Sequence, residues 1–157
     1  MSWLRRRITE VQVAFMLLTR LPAGRLEGVA PELSAAKWAF PLAGLVVGGS
    51  LAGVYIAMNS LGLPAELAAI LALGAGMMMT GGLHEDGLAD CADGFGGGQT
   101  KDQKLAIMKD SRVGSYGVLA LILVIAARIM ALAALPATLQ SLILLISLAM
   151  VSRMMMV

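Results

Sequence analysis

The chain has 157 residues, of which 59% are hydrophobic and 14% charged, with a formal net charge of +2. Soluble domains of this size carry about a quarter charged residues, so the chain holds too little polar surface to enclose an apolar core in water. The small net charge excludes a nucleic-acid partner. A lone cysteine, Cys91, excludes an internal disulfide and reads as a small buried residue.

Residues 1–37 form a basic, amphipathic lead. Arg5, Arg6 and Arg7 are not followed by a short apolar run and cleavage site, so no removable signal peptide is predicted. Val11, Phe15, Leu18 and Leu21 recur at near-helical spacing, with Thr9, Glu10, Gln12 and Arg20 between them. That pattern predicts a short helix lying at a membrane interface, with Trp3 and Trp38 at the headgroup level.

No charge occurs in residues 38–65, 67–83, 113–127 or 129–152. A spanning helix needs roughly 20 mostly apolar residues. Spans are therefore predicted at about 39–58, 65–83, 115–135 and 137–157, with turns at 59–64 and at Pro136. A loop-like segment, 84–113, separates the second span from the third. The first span carries Gly44, Gly48, Gly49 and Gly53, two small-residue repeats that predict a close-packing face for another helix. The chain ends inside an apolar run, Met154-Met155-Met156-Val157, where further sequence is expected to follow. The fold class is all-α, a polytopic helical bundle forming one integral-membrane domain.

Positive charge sets the orientation. Arg5, Arg6, Arg7, Arg20, Arg25 and Lys37 precede span one, and Lys101, Lys104, Lys109 and Arg112 lie between spans two and three. The turns at 59–64 and 136–138 carry no Lys or Arg. The N-terminus and the 84–113 segment are thus predicted to face the cytoplasm. Arg128 is the exception, about 12 residues into span three and roughly 18 Å deep. Such an Arg faces the bundle interior with a partner; it either fixes packing or holds a substrate anion.

All five aspartates fall between positions 86 and 110, beside Glu85 and the only histidine, His84. If helix continues through this stretch, Asp86, Asp90 and Asp93 stand at i, i+4 and i+7, on one face. Like charges at that spacing repel, which makes sense against a hard divalent cation such as Mg²⁺ or Mn²⁺. Zinc lacks its usual ligands here. The alternative is a solvated acidic helix end. Glu85 points to a neighbouring face. His84 is a general base, a ligand-orienting group or a membrane-edge cap. Gly94, Gly96, Gly97 and Gly98 form either an anion cradle or a flexible linker. Residues 100–109 read as a short surface helix. Beyond it Lys109 and Arg112 could hold phosphate oxygens, Asp110 could add a metal ligand or orient Arg112, and Ser111 could cap the next helix.

Four blocks resemble cobalamin synthase, the adenosylcobinamide-GDP ribazoletransferase family: Phe15-Met16-Leu17-Leu18-Thr19-Arg20-Leu21-Pro22, Phe40-Pro41-Leu42-Ala43-Gly44, Gly81 to Asp90 with Ala92 to Gly98, and Ile107 to Gly117. Cys91 stands where that family is expected to have Thr, and family members continue through further membrane segments. The resemblance implies a transferase of the bacterial cytoplasmic (inner) membrane, acting late in cobalamin biosynthesis with Mg²⁺. It would join adenosylcobinamide-GDP to α-ribazole, or its 5′-phosphate, and release GMP. On that reading Asp86, Asp90 and Asp93 hold the metal, with Glu85 or Asp110 as further ligands. Lys109 and Arg112, with Gly96, Gly97 and Arg128, hold the substrate. The general base is one of His84, Glu85 and Asp93. A homo-oligomer is left open. Rival readings are a CDP-alcohol phosphotransferase, whose aspartate spacing differs, a cation transporter, and a scaffold subunit that leaves the acidic cluster unexplained.

Overall fold

A computed structural model describes residues 3–26 and 28–156, and among them every regular element is helical. Helix α1 is Trp3–Leu18. A short α2, Leu33–Ala36, runs through a 3-10 turn at Lys37–Ala39 into α3, Phe40–Ser60. Then come α4 (Ala65–Thr80), α5 (Leu83–Gly97), α6 (Lys101–Met108), α7 (Ser115–Ala133) and α8 (Leu139–Met154). The lead's Met1 and Ser2, and Val157 at the expected end of the fourth span, lie outside the described residues.

Leu33–Ser60 and Ser115–Ala133 are long and apolar enough to cross a membrane. The pair α4 and α5 would be a third crossing if taken as one broken span, and α8 is apolar but shorter. The break is sharp, at 89°. Gly81 (φ 67°) and Gly82 (φ 73°) both adopt the left-handed conformation that ends a helix at low steric cost. The second apolar run therefore stops at Thr80. Residues 84–97, expected as the start of a loop-like segment, instead belong to a helix in a new direction, Leu83–Gly97. The surface helix expected at 100–109 is α6, whose Thr100 and Gln103 form a reciprocal capping box.

Helix α3 packs most extensively on α8 and then on α4. At Gly44 an added Cβ would lie 2.6 Å from the Ala149 carbonyl oxygen, and at Gly48 it would lie 2.7 Å from the Ala149 Cβ. These two glycines let the helix backbones meet. Gly49 and Gly53 have open space instead, so only half of the predicted small-residue face is used here. A second apolar cluster gathers Tyr55, Ala68, Ala72, Leu73 and Leu132 from α3, α4 and α7. Buried Tyr55 stays satisfied because its hydroxyl donates to the Leu135 carbonyl at 2.8 Å.

Helix α1 is tied down by Glu10, which is 0% exposed. Its carboxylate accepts from the Trp38 indole at 2.7 Å, Arg7 at 2.8 Å and Arg6 at 3.0 Å. Arg7 also stands over the rings of Trp3 and Trp38. The Trp38 hydrogen bond, with both arginines, holds the Glu10 carboxyl below its ordinary value of 4.5. A carboxyl depressed in the folded state contributes stability that is fully present above the unfolded value and lost as pH falls through the folded one. Thermal unfolding of the wild type should therefore lose stability below about pH 4.5, and Glu10→Gln should flatten that part of the profile while lowering stability at neutral pH. Gly44→Val should destabilise the α3–α8 pair by roughly 1–3 kcal/mol, and Gly49→Ala, into open space, should not destabilise it in the same melt.

Candidate functional site

The elbow between α4 and α5 is the structural centre of the acidic segment. The end of α1 reaches it: the Arg20 N–H donates to the Met79 carbonyl at 2.6 Å. The Arg20 side chain lies over Gly81, where a Cβ would collide with it. Around the elbow is a hollow of about 640 Å³, lined by Thr19, Arg20, Gly82, Asp86 and Val113 among others. A guanidinium and a carboxylate 66 positions apart in sequence thus share one concavity.

Helix α5 does carry Asp86, Asp90 and Asp93 at helical spacing, but the three do different things. Asp93 is 8% exposed and turned to α7. Its Oδ2 accepts from the Gly114 N–H at 2.7 Å, and its Oδ1 from the Gly117 N–H at 2.8 Å. These are donors of α7's first turn, which carries no side-chain cap of its own. Ser111 does not cap the helix; Asp93 does so from another element. The approach needs glycine at both positions, since a Cβ on Gly114 would lie 2.5 Å from Asp93 Oδ1 and one on Gly117 would overlap the carboxylate. Asp86 is exposed and Asp90 half-buried.

Among the described residues no three His, Cys, Asp or Glu side chains converge as a metal site. The expected convergence of Asp86, Asp90 and Asp93 on one ion is therefore not seen among the described residues, because Asp93 is held by α7. The pair Asp86 and Asp90, one turn apart, still fits Mg²⁺. That ion is commonly held by one or two carboxylates and completes its shell with water and substrate phosphate. The exposed carboxylate of Asp86 supplies hard oxygen to the hollow. Cys91 is exposed, not buried, because it lies about 160° round α5 from Asp93, the residue turned to α7, at 100° per residue.

His84 and Glu85 look elsewhere. Glu85 Oε1 accepts from Arg128 Nη1 at 2.8 Å, with side chains 16% and 44% exposed. This is the partner that a deep Arg on α7 requires. Both residues line a second cavity, with Arg128 and Arg153, between α3, α4, α7 and α8. His84 Nε2 and Glu85 Oε2 are buried there without hydrogen-bond partners.

The glycine run is not a loop cradle. Gly94, Gly96 and Gly97 belong to α5, so their N–H groups lie in the helix ladder, and Gly98 closes it by donating to Gly94 at 3.1 Å. Their missing side chains admit neighbours instead: Met108 at Gly94, the Tyr116 ring at Gly96, Ile107 at Gly97 and Lys104 at Gly98. Asp110 is paired with Arg112, whose Nη2 donates to Oδ2 at 2.7 Å and whose N–H donates to Oδ1 at 3.1 Å. Arg112 depresses the Asp110 carboxyl, and Asp110 raises the guanidinium in turn. Asp110 thus orients Arg112, the second of its two expected roles. Lys109 is exposed at the end of α6.

The family model for cobalamin-5-phosphate synthase matches residues 10–157. The chain belongs to the cobalamin-5-phosphate synthase family. It is 50% identical over 132 residues to a protein of Bradyrhizobium diazoefficiens named adenosylcobinamide-GDP ribazoletransferase, covering 83% of this chain and 51% of that one. Proteins of the same name from Xanthobacter autotrophicus and Mesorhizobium japonicum are 52% and 48% identical, covering 75% and 76% of this chain and 46% of each of theirs. The chain spans about half the length of these curated relatives. No solved structure matches it.

Arg20 is a residue to which the pattern of the sequence gave no part in the site. It lies in a block already singled out, Phe15 to Pro22, but only the folded chain puts it on the elbow. The capping role of Asp93 gives a direct test. Asp93→Ala strands two backbone donors and should destabilise by roughly 3 kcal/mol. Asp86→Asn, on the exposed face, should leave the unfolding midpoint within error. Thermal unfolding in detergent compares the two.

Proposed function

We propose that this chain forms the part of an adenosylcobinamide-GDP ribazoletransferase that grips the diphosphate. The observation that carries the reading is the meeting of Arg20 and Asp86 in one hollow at the α4–α5 elbow, in a chain about half identical to proteins of that name. The full reaction joins adenosylcobinamide-GDP to α-ribazole or its 5′-phosphate, giving adenosylcobalamin or its 5′-phosphate and GMP. The segment 84–113 faces the cytoplasm of a bacterial inner membrane, a placement supported by the Lys and Arg on that side and their lack in the turns at 59–64 and 136–138.

Asp86 and Asp90 would hold Mg²⁺, which when bound supplies charge neutralisation at the diphosphate. Arg20 adds a guanidinium to the same hollow, able to take two phosphate oxygens at once. Lys109 and Arg112 provide further cationic clamps, with Arg112 pre-oriented by Asp110. The ribazole hydroxyl attacks the phosphorus on the cobinamide side, and the phosphoanhydride bond to GMP breaks. The hydroxyl proton needs an acceptor with a free lone pair. Asp93 already uses both oxygens, and His84 Nε2 and Glu85 Oε2, though unpartnered, belong to residues that line the second cavity and not this hollow, so none of the three candidate bases lines the hollow.

The test is GMP release from adenosylcobinamide-GDP and α-ribazole by the full-length protein, with and without Mg²⁺. Asp90→Asn and Arg20→Gln should each lower turnover by about 100-fold or more with unchanged membrane insertion. Near-wild-type turnover in both variants would sink the assignment. CMP release from a CDP-alcohol, with no GMP release, would replace it by a lipid phosphotransferase.

A further inference from the structure

The second cavity has a volume of about 580 Å³, and its walls are mostly apolar. Leu51, Leu73, Leu132, Leu135, Leu145 and Leu148 stand among them. The ionised groups gather together: Arg128 and Arg153 as cations, and Glu85 as the single carboxylate. Glu85 is paired to Arg128. Arg153 donates to Ser152 Oγ at 2.8 Å and to the Ala149 carbonyl at 3.5 Å, but among the described residues it forms no ion pair. Among the described residues two guanidiniums, Arg128 partly exposed and Arg153 half-buried, therefore share one carboxylate at this cavity, which leaves one positive charge without an acidic partner. Charge of that kind is expensive in low dielectric unless an anion joins it. Beside it are the unpartnered atoms: His84 Nε2, and Glu85 Oε2, which can only accept when ionised. The enclosure thus lacks three things: an anion for Arg153, a donor for Glu85, and an apolar body to fill its walls.

We propose that this cavity binds an amphipathic phosphate ester, with its phosphate between Arg153 and Arg128, a hydroxyl donating to Glu85 Oε2, and its apolar part along α3, α7 and α8. Two sources carry all three parts. One is an anionic phospholipid with a hydroxylated headgroup, such as phosphatidylglycerol. The other is the 5′-phosphate of α-ribazole, with an aromatic base and ribose hydroxyls, and only this source rests on the function proposed above.

Binding is measured by calorimetry on the full chain in dodecyl maltoside micelles, with no turnover involved. The probes are two pairs: phosphatidylglycerol against diacylglycerol of the same tails, and α-ribazole 5′-phosphate against α-ribazole. The phosphate-bearing member of at least one pair should bind about tenfold more tightly, the scale of one charge-assisted contact. Arg153→Gln should erase that difference. Leu145→Trp should abolish binding by filling the cavity without altering its charge. Arg25→Gln, an exposed cation outside the cavity, should leave the affinity within twofold. A preference in the lipid pair alone keeps the site and removes the substrate from it; a preference in the ribazole pair alone makes it a substrate pocket. Equal affinity within both pairs overturns the proposal, as does affinity within twofold of wild type in both Arg153→Gln and Leu145→Trp.

Discussion

Asp93 takes the amide protons of Gly114 and Gly117 on its two oxygens, at 2.7 and 2.8 Å, and the acidic end of the bundle is arranged around that contact. A helix leaves its first N–H groups without internal acceptors, and its N-terminus carries partial positive charge. Most helices meet the need with their own N-cap. Here α7 has glycine at the cap, and the carboxylate arrives from α5. The contact docks α5 along α7 and fixes its rotation, since the helix cannot turn without withdrawing the carboxylate. It also decides which side of α5 remains open to ligands.

From that rotation follows the division of labour on α5. Successive residues lie about 100° apart and each turn advances about 5.4 Å, so one short helix serves several surroundings around and along its axis. Asp93 enters the α7 junction. Asp86 faces the elbow hollow with Arg20. His84 and Glu85 enter the apolar cavity, where Arg128 and Arg153 wait. Cys91 is left to solvent. The elbow makes this possible. Gly81 and Gly82 turn the chain through 89° between α4 and α5, so that α5 packs on α7 and does not extend the line of α4.

Glycine serves two physical ends here. Gly81 and Gly82 supply backbone angles that other residues adopt only under strain. Gly44, Gly48, Gly96, Gly114 and Gly117 supply absence of volume: a helix backbone, a tyrosine ring or a carboxylate occupies the place of a Cβ. The two uses look alike along a chain, which is why the run at 94–98 is open to reading as an anion cradle until its packing partners are known.

The amino-acid sequence by itself determined the helical class, the approximate positions of the apolar helices, the surface helix after Thr100 and the gathering of acidic residues after the second apolar run. These are legible because hydrophobic length, helical period and local capping act within a few residues of one another. It also carried the blocks by which the family could be recognised. Only the tertiary structure decided that Asp93 caps α7, that Arg128 pairs with Glu85 and that Arg20 stands on the elbow. Each of these joins residues 21 to 66 positions apart in sequence. A carboxylate's choice among a metal, a guanidinium and a helix N-terminus is set by which of them the fold brings within hydrogen-bond reach. Helical period gives the face a residue occupies, and the packing of neighbouring helices gives what that face meets.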